Sequence, residues 1–133
     1  MESQMPSQRP SRLTQGLDWL VRILLALAFV SAGGMKLAGV PQFVALFDQI
    51  GIGQWFRLVT GTFEVLGGLL VLIPRTSIFG AVLLVCVMLG AVFTHLAMIG
   101  GNPLPALVLL ALSAVVLWLR RAQLATFGRS MMP

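Results

Sequence analysis

The chain has 133 residues, of which 58% are apolar and only 10% are charged, and its mean hydropathy is +0.96. Soluble domains carry about 25% charged residues, so this composition excludes an ordinary water-soluble globule. The sequence pI is about 11.5, but the nine basic residues lie mostly at the ends of apolar stretches rather than on one polar face, which argues against a nucleic-acid partner. The length allows one domain, and we expect it to contact membrane lipid.

Four apolar stretches follow one another along the chain, at residues 17–37, 55–73, 77–98 and 103–119. Each has close to the ~20 residues that a helix needs to cross ~30 Å of hydrocarbon. Because the alternating pattern of a membrane barrel is absent, backbone hydrogen bonding in lipid requires helices. We predict an all-α, integral membrane four-helix bundle, with a flexible cytoplasmic tail at residues 1–16 and a cytoplasmic C-terminal tail at residues 122–133.

The connection between the first two spans carries its own apolar periodicity. Phe43, Val44, Phe47 and Ile50 recur at helical spacing. This pattern predicts a short helix along the outer membrane interface, with an irregular loop as the alternative.

The arginines predict the orientation of the four spans. Arg22, Arg75, Arg120 and Arg121 fall on one side of the membrane together with the N-terminal arginines, whereas the segments at residues 38–54 and 99–102 contain no lysine or arginine. Cytoplasmic loops are enriched in Lys and Arg, so both termini are predicted to be cytoplasmic. We expect a multi-pass protein of the bacterial cytoplasmic (inner) membrane.

Glu64 is the candidate functional residue because it lies in an otherwise apolar stretch, residues 58–73. A charged group at that depth costs several kcal/mol unless it is paired, protonated or hydrated. Helical spacing places Arg57, Gly61 and Gly68 on the same stripe as Glu64. Small residues on a stripe allow close helix approach, so we expect Gly61 and Gly68 in helix packing.

Similar stripes of small residues occur in the first and third spans. They contain Gly33 and Ala91, respectively, and we expect both residues at helix contacts.

The polar residues near Glu64 suggest a funnel that opens outward. Lys36 and His95 lie near the outer ends of their spans, and Glu64 lies ~13–14 Å deeper than Trp55 along its helix. Our hypothesis is a ligand- or proton-binding pocket formed by Glu64, His95, Lys36 and Arg57. The alternatives are a snorkelling Lys36, a packing His95 and a purely structural Glu64 pair. Counting residues places Glu64 below His95, so that a water or a ligand would bridge them.

No other chemistry is indicated. The single cysteine, Cys86, lies within the third span and is interpreted as a small buried hydrophobe. The sequence has no zinc spacing, phosphate-binding loop or catalytic triad, so we assign no catalytic residue, no metal and no resident cofactor.

Several short motifs occur in order along the chain. They are RILL (22–25) with Phe29, Ser31, Gly33 and Lys36-Leu37, then EVLGGLL (64–70), LIPR (72–75), MLGAVFTH (88–95), and LPALVLL (104–110) followed by WLRR (118–121). Together these motifs resemble the DoxX family, and the last resembles its DoxX-like branch. The resemblance covers about residues 17–121.

The resemblance implies a small four-helix membrane protein. The family is named after a subunit associated with thiosulfate:quinone oxidoreductase, and other members are linked with redox stress. It therefore implies an accessory subunit of a membrane redox system, not an autonomous enzyme, with a quinone as the ligand to consider. Two alternatives stay open: a structural docking subunit of a larger membrane complex, or a small carrier or channel-like protein. Its expected partners are lipids and either other membrane subunits or further copies of the chain.

Overall fold

The computed structural model describes residues 11–122. These residues form only helices, with no strand between residues 11 and 122. The helices are α1 (Arg12–Ala38), α2 (Pro41–Ile50), α3 (Gln54–Leu72), α4 (Ser77–Thr94), which continues as a π-helical segment (His95–Ile99), and α5 (Leu104–Leu119). The prediction of a helix between the first two spans is confirmed by α2.

Helix α1 begins earlier than the first apolar stretch. The hydroxyl of Ser11 accepts a hydrogen bond from the backbone N–H of Thr14 at 3.1 Å, which caps the helix at Arg12. Residues 12–16, which we predicted as part of the N-terminal tail, are therefore helical. Of the two predicted tails, residues 1–10 and 123–133 lie outside the described part of the chain.

The four long helices surround one core. Helix α3 packs between α1 and α4, α5 packs against α4, and α5 also contacts α1. Helix α2 lies against α3 and touches both α1 and the π-helical segment. The core contains Phe29, Val71, Leu84 and Val116, one from each long helix.

The outside of the bundle is apolar. Between residues 11 and 122, thirty large hydrophobic side chains are exposed, including Leu66 and Leu69 on α3. A water-soluble monomer does not expose a surface of this kind, so lipid must cover it. In the part of the chain that the structure describes, three helical stretches are long and apolar enough to cross a membrane. They are Arg12–Ala38, Gln54–Leu72 and Ser77–Ile99, whereas α5 has 16 residues. The predicted all-α membrane helical bundle is confirmed.

Glycines bring α3 into backbone contact with both of its neighbours. A Cβ atom added to Gly33 of α1 would lie 2.6 Å from the carbonyl oxygen of Gly61, and one added to Gly80 of α4 would lie 2.8 Å from the carbonyl oxygen of Gly67. Close backbone approach at small residues is typical of membrane helix pairs. Helices α3 and α4 touch at the Gly67–Gly80 contact, near the turn that joins them. Further from that turn the two helices separate, and a cavity lies between them.

Candidate functional site

The cavity between α3 and α4 has a volume of about 660 Å³ and is partly open. Residues from all five helices and from the π-helical segment border it, and α2 lies across one end. Its wall is mainly apolar and includes six phenylalanines: Phe29, Phe43, Phe47, Phe56, Phe63 and Phe93. The volume lies in the range of small-molecule sites, which are mostly apolar with a few placed polar groups.

Lys36 and Glu64 form an ion pair at the cavity. The ammonium Nζ of Lys36 lies 2.5 Å from Oε1 of Glu64, whose residue is only 1% exposed. Lys36 also lies 5.2 Å from the ring centre of Phe43. The lysine therefore points into the bundle instead of extending away from it, and each charge compensates the other where an isolated charge would be costly.

The second carboxylate oxygen of Glu64 differs from the first. Oε2 is buried and receives no hydrogen bond from the described residues. Buried polar atoms nearly always have a partner, so an oxygen of this kind calls for a donor from elsewhere. Glu64 borders the cavity, so a ligand bound there would lie close to this carboxylate.

Arg57 supports the ion pair without bordering the cavity. Its Nη1 donates to the backbone carbonyl of Lys36, and its Nε donates to Oε1 of Gln54 at 2.7 Å. The first bond joins the last turn of α1 to the first turn of α3, and the second lies within α3. Of the four residues predicted for the pocket, Lys36, Glu64 and His95 line the cavity, and Arg57 lies behind Lys36.

His95 begins the π-helical segment at the end of α4. Its Nδ1 lies 2.9 Å from the carbonyl oxygen of Ala91. A carbonyl can only accept, so Nδ1 carries the proton, and the neutral ring keeps Nε2 as an acceptor. His95 and Glu64 border the same cavity but share no hydrogen bond within the described residues. Single π-helical turns often occur at functional sites.

The predicted packing residues divide into two groups. Gly33, Gly61 and Gly68 are buried between α1 and α3, and a Cβ added to Gly68 would lie 3.1 Å from Val30. Ala91 is half-buried and borders the cavity. The sequence analysis missed Gly67 and Gly80, although the Gly67-Gly68 doublet was a signal for a second close contact on the neighbouring face of α3.

A charged cluster lies at the other end of the bundle. Nε of Arg22 lies 3.1 Å from Oδ2 of Asp18, which is four residues earlier on α1. The same oxygen also accepts from Nη2 of Arg120 at 2.5 Å, and Nη1 of Arg22 donates to the carbonyls of Val71 and Leu72. The cluster joins the start of α1 to the ends of α3 and α5.

The arginines predicted to set topology occupy different environments. Arg22 is fully buried in this cluster and Arg120 is half-buried, so these two cations also hold the helices together. Arg75 and Arg121 are exposed, and the guanidinium of Arg121 lies 4.0 Å from the ring centre of Trp118.

Cys86 is not the buried hydrophobe that we expected. It is exposed on α4 and borders the cavity, because α4 turns this face toward the cavity and not toward a neighbouring helix. In residues 11–122 no group of three or more His, Cys, Asp or Glu side chains is placed to hold a metal ion.

A family model described as the DoxX-like family matches residues 20–123, which is most of the chain. No curated protein and no solved structure matches. The matched region contains the Lys36–Glu64 pair, the cavity and the Asp18-linked Arg22 and Arg120. The chain is therefore a member of the DoxX-like family of membrane proteins.

Proposed function

We propose that the protein is an accessory subunit of a membrane redox system and binds a quinone-type amphiphile in the cavity beside Lys36 and Glu64. The observation that carries this proposal is Oε2 of Glu64, a buried carboxylate oxygen without a partner among the described residues, at the edge of an aromatic-lined cavity. The polar groups would hold the head of the ligand, and the phenylalanines would contact its ring and the start of its tail.

The shape of the cavity supports a ligand that comes from the lipid. Phe63 of α3 and Phe93 of α4 border the cavity and are exposed on the apolar surface of the bundle. An isoprenoid tail could pass between them into the bilayer while the head stays near Glu64. A water-soluble metabolite has no apolar tail that an opening toward lipid would accommodate.

Protons could be exchanged with the bound head group. Glu64 and His95 both border the cavity, and carboxylates and imidazoles are common general acids and bases. We assign the electron-transfer step to partner subunits, so this chain would bind, orient and protonate or deprotonate the ligand.

We further propose four membrane crossings with both termini in the cytoplasm. The 2.5 Å bond from Arg120 to Asp18 joins the end of α5 to the start of α1, as an even number of crossings requires. Helix α5 is ~24 Å long by its 16 residues, somewhat short for ~30 Å of hydrocarbon. Local thinning of the bilayer accommodates a short helix at modest cost. Helix α2 would then lie at the outer interface of a bacterial cytoplasmic membrane.

A proton or cation carrier is the second candidate. It is favoured by the position of Glu64 near the middle of α3, where transporters place their ionisable residues. Such a carrier would move charge across vesicles without any partner. A structural docking subunit would instead co-purify with other proteins and tolerate loss of the carboxylate.

The test is to purify the wild type and Glu64→Gln in mild detergent and to identify bound quinones and lipids by mass spectrometry. We expect a quinone at close to one per chain in the wild type and little in Glu64→Gln. Asp48→Asn is the matched control, because it makes the same change at an exposed carboxylate on α2. If the wild type binds no quinone, even after incubation with an excess, the proposed function is wrong.

A further inference from the structure

The polar side chains around the cavity are mostly acceptors of hydrogen bonds. From this imbalance we propose that the site prefers the reduced, dihydroxy form of the ligand, a hydroquinone, over the quinone. The inference rests on the proposed function and specifies which redox form the site recognises.

The hydroxyl protons of the two threonines that border the cavity already donate hydrogen bonds to the backbone. The hydroxyl of Thr60 donates to the carbonyl of Phe56, and that of Thr94 donates to the carbonyl of Gly90, each at 2.8 Å. A hydroxyl has one proton, so each threonine oxygen has only its lone pairs left, and these accept hydrogen bonds. Toward a ligand, Thr60 and Thr94 can only accept.

Glu64 and the neutral form of His95 have the same character. As the anion of the ion pair, Glu64 offers only acceptors, and its Oε1 already accepts from the ammonium of Lys36. Because Nδ1 of His95 donates to Ala91, the neutral ring is left with Nε2 as an acceptor. Four side chains that border the cavity therefore offer acceptors.

Lys36 is the main donor. One of its three N–H groups points to Glu64, and the other two remain for a ligand. Cys86, the other donor among the polar side chains that border the cavity, has only a weak S–H.

The two redox forms of a quinone have opposite hydrogen-bonding character. The carbonyl oxygens of a quinone only accept, so Lys36 could bind one of them, but Oε2 of Glu64 would stay without a partner. Each hydroxyl of the hydroquinone can donate to one of these acceptors and still accept from Lys36. Hydrogen bonds to charged groups are among the stronger ones, so we expect a preference of about 10- to 100-fold.

The experiment compares three probes on the full chain in detergent under anaerobic conditions. They are a short-chain benzoquinone, its hydroquinone, and the dimethyl ether of that hydroquinone, which has a similar ring but no donor. Affinities are measured by calorimetry. We expect the hydroquinone to bind most tightly and the dimethyl ether to bind no better than the quinone.

Two outcomes separate the inference from the function on which it rests. If none of the probes binds, the proposed function fails. If the quinone or the dimethyl ether binds as tightly as the hydroquinone, the ligand class stands and the preference inferred here is overturned.

Threonine variants test the same point without touching the ion pair. Thr60→Val and Thr94→Val each remove an acceptor at the cavity, and we expect a larger loss of affinity for the hydroquinone than for the quinone. Thr62→Val is the matched control, because Thr62 makes the same kind of bond, to Leu58 at 2.7 Å, on an exposed face away from the cavity. An equal loss for both redox forms in Thr60→Val and Thr94→Val would contradict the inference.

Discussion

Lys36 and Glu64 are 28 positions apart on different helices, and Gly61 is the residue that lets them meet. A Cβ added to Gly61 would lie 3.0 Å from the Cβ of Lys36. The lysine stem therefore passes over the glycine, one turn above Glu64 on the same stripe of α3. The stripe therefore combines Gly61, a packing residue, with the charged Glu64. Gly61 allows Lys36, the ion-pair partner of Glu64, to come close.

We expect the ion pair to be required for stability. Lys36→Met leaves the carboxylate of Glu64 buried without its partner, and breaking a buried pair in this way costs about 3–5 kcal/mol. The double variant Lys36→Met/Glu64→Leu removes both charges and should recover most of the loss. Thermal unfolding in detergent of the two single variants and the double variant measures this coupling. Losses that simply add would mean that the two residues do not depend on each other.

The contact between α1 and α3 provides a sharp test of packing. A Cβ on Gly33 would meet the carbonyl oxygen of Gly61 at 2.6 Å, whereas one on the adjacent Gly34 would meet nothing within 4 Å. Gly33→Ala should force the backbones apart and lower the free energy of unfolding by about 1–3 kcal/mol. Gly34→Ala should have no such cost, since alanine favours the helix. Equal unfolding midpoints for the two variants would show that the helices do not pack through Gly33.

The sequence predicted the helices better than it predicted the contacts between them. Apolar length and periodicity are local properties, so α2 and the long helices followed from pattern alone. The bond between Asp18 and Arg120 joins residues 102 positions apart and depends on how α5 closes against α1. Periodicity on one helix contains no information on that closure.

The sequence analysis also left out how far each side chain extends from its backbone. Counting residues placed Lys36 well above Glu64, because it measured Cα positions along separate helices. The lysine stem spans one helical turn and removes that offset. His95 shows the opposite case: its ring bonds to its own helix at Ala91, so no direct contact with Glu64 forms.

Arg120 and Arg121 are adjacent in sequence but should differ in their contribution to stability. Arg120 bonds to Asp18 at 2.5 Å, and Arg121 is exposed beside Trp118. Arg120→Gln should lower the unfolding midpoint in detergent because it separates α5 from α1, while Arg121→Gln should leave it nearly unchanged. Both variants remove one positive charge, so net charge cannot explain a difference. The opposite ranking would contradict the role given to Asp18.

The proposed topology predicts the location of three sites. Reporter fusions at Gly53 and at Gly101 should lie outside the cytoplasm, and a fusion after Arg121 should lie inside it. The first two positions are in connections without Lys or Arg, and the third follows the pair that ends α5. A cytoplasmic signal at Gly101 would mean that the Ser77–Ile99 stretch does not cross the membrane.

The single cysteine reports directly on whether a ligand enters the cavity. Cys86 is exposed and borders the cavity, so a small membrane-permeable maleimide should alkylate it in the purified protein. Saturation with a short-chain quinone or its hydroquinone should slow that reaction severalfold, because the ligand would cover the sulfur. The control places the cysteine at Leu89 in a Cys86→Ser background, on the same helix at an exposed position that does not border the cavity. Its alkylation should not respond to the ligand. If both cysteines are protected equally, the quinone acts by dissolving in the detergent micelle, and the cavity is not its binding site.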